Sequence, residues 1–222
     1  MNSLLARILL RLAFLPLVVW LVILLPAGTN DFWQVYVFFG LLLIVMLAGT
    51  VYFLKHDPEL LERRLKTREK EQEQKLIMLI MGLSVVAIYV IPGFDKRFGW
   101  SDIPVWLVLV GDGVALAGYL FMMYIFKVNS FAARTIEVEQ NQTVIDTGPY
   151  GRVRHPMYTG ALLMYLGTPI ALGSWWAFIA AGIVPFCLLA RILNEEAVLR
   201  RDLDGYGDYC QRVKWRLLPG VY

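Results

Sequence analysis

Two stretches hold most of the polar chemistry of an otherwise apolar chain. The first, residues 147–160, reads Thr-Gly-Pro-Tyr-Gly-Arg-Val-Arg-His-Pro-Met-Tyr-Thr-Gly. Pro156 disfavours helical geometry at His155 and suits the first position of a helix, so the chain is expected to turn at His155 and enter a helix at Met157. The first amide N–H groups of such a helix can meet an anionic group, with the positive end of the helix dipole behind them. Arg154 adds a fork of donors that matches a carboxylate or a phosphate. Gly148-Pro149 marks a turn before Tyr150, a flat ring with a hydroxyl at its tip. Taken singly, Arg154 and His155 read equally well as headgroup anchors of a membrane span. Gly-Pro-Tyr, Arg-His-Pro and Tyr-x-Gly falling together favour a binding site.

The second stretch is 191–201, with Asn194-Glu195-Glu196 at its centre. Adjacent carboxylates on a helix point about 100° apart, so one faces a pocket while the other meets solvent or a basic partner. The plainer alternative is two i,i+4 ion pairs, Arg191 with Glu195 and Glu196 with Arg200. After it, residues 205–219 carry Tyr206, Tyr209, Trp215 and several basic residues. These suit docking on the membrane surface, with closure over a ligand as the alternative.

The elements that must position these residues are membrane spans. The chain has 222 residues, 58% of them hydrophobic, and a mean hydropathy of +0.58, too apolar for one soluble core of ordinary composition. The expected fold class is an all-α polytopic membrane protein with about six membrane-crossing helices. Apolar runs at 4–25, 32–54, 76–91, 104–126, 157–170 and 174–190 supply them. The first is expected to be retained, because its apolar part is long and residues 26–29 make a poor cleavage site. Pro92-Gly93 is expected to end the third. The last two form a helical hairpin joined at 171–173, its second arm running on to Asp202. Asp112 lies inside the fourth span, where an acid is a functional candidate, and is kept apart from the expected site.

Two polar segments separate the spans. Residues 55–75 form a charged loop in which Asp57-Pro58 caps a helix. Leu60, Leu61 and Leu65 would lay that helix on the membrane surface, and pairs such as Glu62 with Lys66 would give it a solvated face. In 127–154, β-branched residues at 135–138 and 143–145 suggest a small hairpin or an extended lid. The chain therefore divides into N-terminal transmembrane helices, 1–126, and a region bearing the site, 127–222. All but Lys96 and Arg97 of the 21 Lys and Arg residues fall on one side of the six crossings, which by the positive-inside rule puts both termini and the site on the cytoplasmic side. Cys187 and Cys210 imply no disulfide framework. Neither a metal site nor a nucleic-acid partner is expected.

Gly148-Pro149-Tyr150, Arg154-His155-Pro156-x-Tyr158-x-Gly160, Glu195-Glu196 and the tail from Gly205-Tyr206 to Pro219, in this order, resemble the isoprenylcysteine carboxyl methyltransferase family. That family is related to the membrane phospholipid methyltransferases. The resemblance covers the C-terminal part of the chain, the N-terminal spans being alike only in character. It implies an enzyme of the bilayer that transfers a methyl group from S-adenosylmethionine to a lipophilic small-molecule or prenylated acceptor. It also implies a cofactor site of Tyr150, Arg154, His155, Pro156, Met157, Tyr158, Glu195 and Glu196, with Arg154, His155, Glu195 and Glu196 nearest the chemistry. Where eukaryotic carboxyl methyltransferases usually have a histidine-containing segment, this chain reads Glu139-Gln140-Asn141-Gln142. A phospholipid amine or a small thiol therefore stays open as acceptor beside the prenylcysteine carboxylate. The rival classes are an NADPH-dependent membrane reductase and a non-catalytic lipid-binding protein.

The residue types agree with such a cofactor. Helix-start amides and Arg154 suit its carboxylate, a glutamate suits its ammonium or ribose hydroxyls, and the faces of Tyr150 or Tyr158 suit its adenine or sulfonium. A carboxylate acceptor needs no general base, whereas an amine or thiol makes His155, Glu195 or Glu196 a candidate base.

Overall fold

The computed structural model describes residues 2–65, 72–132, 135–136, 138 and 142–222. Among the described residues, five helical segments are long and apolar enough to cross a membrane: Leu4–Ala27, Trp33–His56, Gln74–Phe98, Val105–Val128 and Ala177–Asp202. The first is built from α1 (Asn2–Val19), a π-helical turn (Trp20–Leu24) and the short α2 (Leu25–Ala27). Then come α3 (Trp33–His56), α4 (Pro58–Leu65), α5 (Gln72–Phe98) and α6 (Val105–Val128). Each of α3 and α6 has 24 residues and so rises about 36 Å, enough for a bilayer's hydrocarbon core. The outward faces of α1, α3, α5 and α6 carry exposed Leu9, Ile44, Leu79 and Trp106, side chains that need lipid rather than water.

The fifth expected crossing, at 157–170, is α7 (Pro156–Ala171), whose 16 residues rise only about 24 Å and which is not among these five. It begins at Pro156 as the sequence predicts. The second arm of the hairpin is α8 (Ala177–Ala181) followed by α9 (Val184–Asp202), and the short α10 (Tyr206–Arg212) leads into the tail. Among the described residues there is no strand. The expected lid falls partly outside them, at 133–134, 137 and 139–141, and residues 142–146 are irregular.

Glycines set the central contact. In lipid, helices gain little from burying apolar faces against one another, so close backbone approach through small residues decides their pairing. Gly111 and Gly118 on α6 face Gly160 and Gly167 on the antiparallel α7. A Cβ at Gly118 would stand 2.5 Å from the Gly160 carbonyl oxygen, and one at Gly167 would stand 2.8 Å from the Ala115 amide nitrogen.

Three expectations are corrected. The helix does not end at Pro92-Gly93 but runs to Phe98. Gly93 lets α5 approach the first span so closely that an added Cβ would meet the Ile23 carbonyl oxygen at 2.5 Å, and this packing carries the helix past the proline. Second, α4 does not merely rest on the membrane surface. Asp57 caps it by accepting from the Leu60 amide (3.0 Å), and Leu60 is wholly buried in the core with Phe53 and Phe126. Third, the tail tyrosines 206 and 209 are buried rather than surface anchors. The expected partner of Glu62, Lys66, lies outside the described residues; Glu62 sits 3.8 Å from Arg7 instead.

At the far end from the site, Asp95 closes the bundle. It accepts from the Ser101 amide (2.7 Å), the Ser101 hydroxyl (2.7 Å) and the Ser174 hydroxyl (2.5 Å), tying α5 to the loop before α6 and to the hairpin turn. Asp95→Ala leaves buried donors without an acceptor and should lower stability by about 1–3 kcal/mol. Thermal unfolding in detergent checks this, and Asp95→Asn, which keeps one acceptor, should lose less.

Candidate active site

The site is assembled where α6 ends, α7 begins and the second half of α9 passes, around residues 148–159. Gly148 adopts φ 57°, a left-handed geometry that favours glycine, and with Pro149 it starts a single 3-10 turn, Gly148–Gly151. The turn buries Tyr150. Asn129, at the end of α6, donates its side-chain amide to the Tyr150 hydroxyl (3.0 Å), and the Tyr209 hydroxyl donates to the Tyr150 carbonyl (2.8 Å). Burial pushes the Tyr150 phenol up to about 12, against a smaller opposing pull from Asn129, so it stays a neutral hydrogen-bonding group.

The tail returns beside this segment. Val153 and Trp215 form a parallel bridge, the Arg154 amide donates to the Trp215 carbonyl (2.9 Å) and the His155 amide to the Arg216 carbonyl (2.8 Å). Arg154 completes the junction. Its Nε donates to Glu196 Oε1 (2.7 Å) while Nη1 donates to the carbonyls of Val213 (2.7 Å) and Lys214 (2.9 Å). Burial works against the Arg154 charge, yet the bond and charge of Glu196 outweigh it and raise the guanidinium's pKa. Glu196 also lies 3.3 Å from His155 Nε2 and accepts from Arg216 Nε (3.2 Å), with Arg200 at 3.9 Å. A carboxylate at Nε2 keeps the ring proton there and leaves Nδ1 as the acceptor.

Glu195 points elsewhere. Its Oε2 accepts from the Tyr158 hydroxyl (2.5 Å), which in turn accepts from Arg191 Nε (2.9 Å), and Arg191 Nη1 donates to Gln74 Oε1 on α5 (3.0 Å). The two glutamates thus diverge as the helical geometry requires. Glu195 lines a chamber, and Glu196 is held against basic groups behind it.

Of the expected site residues, Tyr150, Arg154, His155, Met157, Tyr158 and Glu195 line this one chamber; Pro156 and Glu196 do not. Residues outside the expected set complete it, among them Asn129, Ile136, Val144 and Tyr206. Tyr206 is buried, and its hydroxyl has no partner among the described residues. Its phenol is pushed up by burial first and by the Glu196 charge next. An orphaned hydroxyl beside a carboxylate, a histidine and aromatic faces fits a polar ligand with hydroxyl and charged groups, as S-adenosylmethionine is. Tyr206 was visible in the Gly205-Tyr206 pair that opens the tail, but no local pattern distinguishes a buried tail tyrosine from a surface one. Asp112 does not line the chamber; it is buried in α6, and neither carboxyl oxygen has a hydrogen-bond partner among the described residues.

Comparison with known proteins falls on this part of the chain. Residues 106–204, from α6 through α9 and the next two residues, match the phospholipid methyltransferase family. The matched stretch includes the paired glycine helices, the Arg154-His155-Pro156 segment and Glu195-Glu196, and it supports the resemblance read from the motifs. The chain is also 29% identical over 146 residues to protein-S-isoprenylcysteine O-methyltransferase B of Arabidopsis thaliana, covering 62% of this chain and 70% of that protein. It is 26% identical over 136 residues to a delta(14)-sterol reductase of Methylotuvimicrobium alcaliphilum, covering 54% of this chain but 32% of the reductase. With the mouse delta(14)-sterol reductase TM7SF2 it shares 29% over 91 residues, 22% of that protein. The protein is accordingly a multi-pass membrane protein whose α6–α9 part is similar to the phospholipid methyltransferase family.

Proposed function

We propose that the chain is an S-adenosylmethionine-dependent methyltransferase acting on a lipophilic acceptor, an isoprenylcysteine-type carboxylate. One observation carries the reading. Met157 and Tyr158 line the polar chamber on one side and, on the other, an apolar cavity of about 450 Å³ between α5, α6, α7 and α9. A polar ligand and an apolar chain can therefore meet across two side chains, without the apolar chain entering water.

When bound, S-adenosylmethionine supplies an electrophilic methyl group on its sulfonium. Glu195 would hold the cofactor's ammonium or ribose hydroxyls, the Tyr206 hydroxyl would supply a further hydrogen bond, and Tyr150 would give a flat face to the adenine. His155, backed by Glu196, would line the approach with Nδ1 as acceptor. Arg154, at the chamber wall, would clamp the tail over the site. Alignment of this kind can contribute about 7–11 kcal/mol where geometry is ideal. A carboxylate acceptor needs no base; an amine or thiol would draw on His155 or Glu195, since Glu196 is committed to arginines. The catalytic region is 127–222, with the spans of 1–126 completing the lipid side, and the site and both termini face the cytoplasm.

A reductase is the second reading, favoured by the two sterol reductases. The chain spans a third or less of their length, and among the described residues the chamber is lined by no cluster of basic side chains for a cofactor phosphate. Calorimetric titration with S-adenosylhomocysteine and, separately, NADPH decides between them. Wild type should bind the former, and Glu195→Gln should weaken it about 10- to 100-fold, the loss of one charge-assisted bond. Unchanged affinity in the variant, or binding of NADPH alone, would overturn the assignment.

A further inference from the structure

We infer that Arg64, on α4 and outside the matched stretch, recognises the anionic headgroup of the acceptor and so sets which amphiphile is methylated. This deepens the proposed methyl-transfer reading and rests on it. The apolar cavity is lined by Met78, Met81, Met122, Met157 and Met164, five of the chain's eight methionines. Unbranched, polarisable side chains fill irregular space and accept varied apolar shapes. Such a wall suits a long hydrocarbon chain but selects poorly among chains, so selection falls to the charged groups at the cavity wall.

Those groups are two guanidiniums, Arg64 and Arg191; among the described residues no carboxylate lines the cavity. Arg191 braces Tyr158 and Gln74, which makes it a positioning residue for the Tyr158–Glu195 bond. Arg64 stands where the two spaces meet. Its Nη1 approaches the Met157 sulfur at 3.7 Å, and its guanidinium carbon lies 4.4 Å over the Phe126 ring. Met157 belongs to both the cavity and the chamber, so an anion on Arg64 would be held next to the place of methyl transfer.

The guanidinium fork matches a carboxylate or phosphate in two-point geometry, and its charge disfavours a cationic amine in the same place. The helix beneath it is anchored. Leu60 is buried, the Arg11 side chain donates to the Leu65 carbonyl (3.3 Å), and Arg63 donates to the Ser130 carbonyl (3.0 Å). Arg64 thus works from a fixed platform. A carboxylate-headed amphiphile is the ligand this arrangement serves; a phospholipid phosphate would offer similar chemistry, and the test separates the two.

The full chain in neutral detergent is titrated with N-acetyl-S-farnesylcysteine, its carboxamide, and phosphatidylethanolamine, with and without S-adenosylhomocysteine. Wild type should prefer the carboxylate to the carboxamide at least tenfold, Arg64→Gln should remove that preference, and Arg64→Lys should keep part of it. Affinity for S-adenosylhomocysteine and the unfolding midpoint should be unchanged in both variants, which excludes a folding defect. Equal preference in wild type and Arg64→Gln overturns the inference, as does Arg64-dependent binding confined to phosphatidylethanolamine. Failure of wild type to bind S-adenosylhomocysteine would overturn the methyl-transfer reading separately, because the carboxylate preference is read without cofactor.

Discussion

Glu196→Ala should lower the apparent unfolding free energy of the detergent-solubilised protein by about 3–5 kcal/mol. The Arg154 and Glu196 side chains are 5% and 4% exposed. Removing one partner strands the other's charge in a poorly solvated place, which costs far more than the intact pair contributes. The loss also spreads. Arg154 holds the Val213 and Lys214 carbonyls, and Arg216 reaches the other oxygen of Glu196, so the tail strapped along residues 153–159 is expected to loosen. Cleavage by trypsin within 212–216 should therefore accelerate, and affinity for S-adenosylhomocysteine should fall with it. The paired change of Arg154→Met with Glu196→Leu should recover part of the stability without recovering the ligand site. Denaturant unfolding followed by tryptophan fluorescence reads the first effect; a loss under about 1 kcal/mol would mean that the pair does not carry the junction.

Gly118→Leu should be comparably severe, for a steric reason. The new Cβ would stand 2.5 Å from the Gly160 carbonyl oxygen and 2.7 Å from the Met164 amide nitrogen, and backbone of a packed helix cannot swing aside as a side chain can. Overpacking of this kind costs about 1–3 kcal/mol, and more where the neighbour is rigid. Displacing α7 also moves Tyr158, two residues before Gly160, away from Glu195. Methyl transfer should accordingly fall further than stability does. Gly113→Ala is the matched control, since nothing lies within 4 Å of its added Cβ, and alanine in a helix gains about 0.5–1 kcal/mol over glycine. Comparing the two in one activity and unfolding series separates a packing effect from a general dislike of substitution in α6.

Much of the architecture is legible in the chain because its causes are local. A bilayer demands long apolar runs, so span positions follow from composition. Pro156 starts α7 and Asp57 caps α4 through constraints acting within four residues. Glu195 and Glu196 diverge because neighbouring helical residues must. What stayed hidden has non-local causes. Pro92 is a reasonable helix terminator until Gly93 meets the first span, and Leu60 looks like a membrane-surface residue until α4 docks on the core. Tyr206 and Tyr209 carry no local mark of burial.

The sequence by itself determined a multi-span membrane helical protein and the list of side chains able to bind a charged, hydroxylated cofactor. Only the tertiary structure decided their duties: that Arg154 meets Glu196 forty-two positions away and clamps the tail, that Glu195 lines the chamber with Tyr158, and that the chamber adjoins a methionine-lined cavity. Helix period and span length are properties of a segment, whereas a partner is chosen by which helices approach closely. Here that choice lies with the glycine faces of α6 and α7.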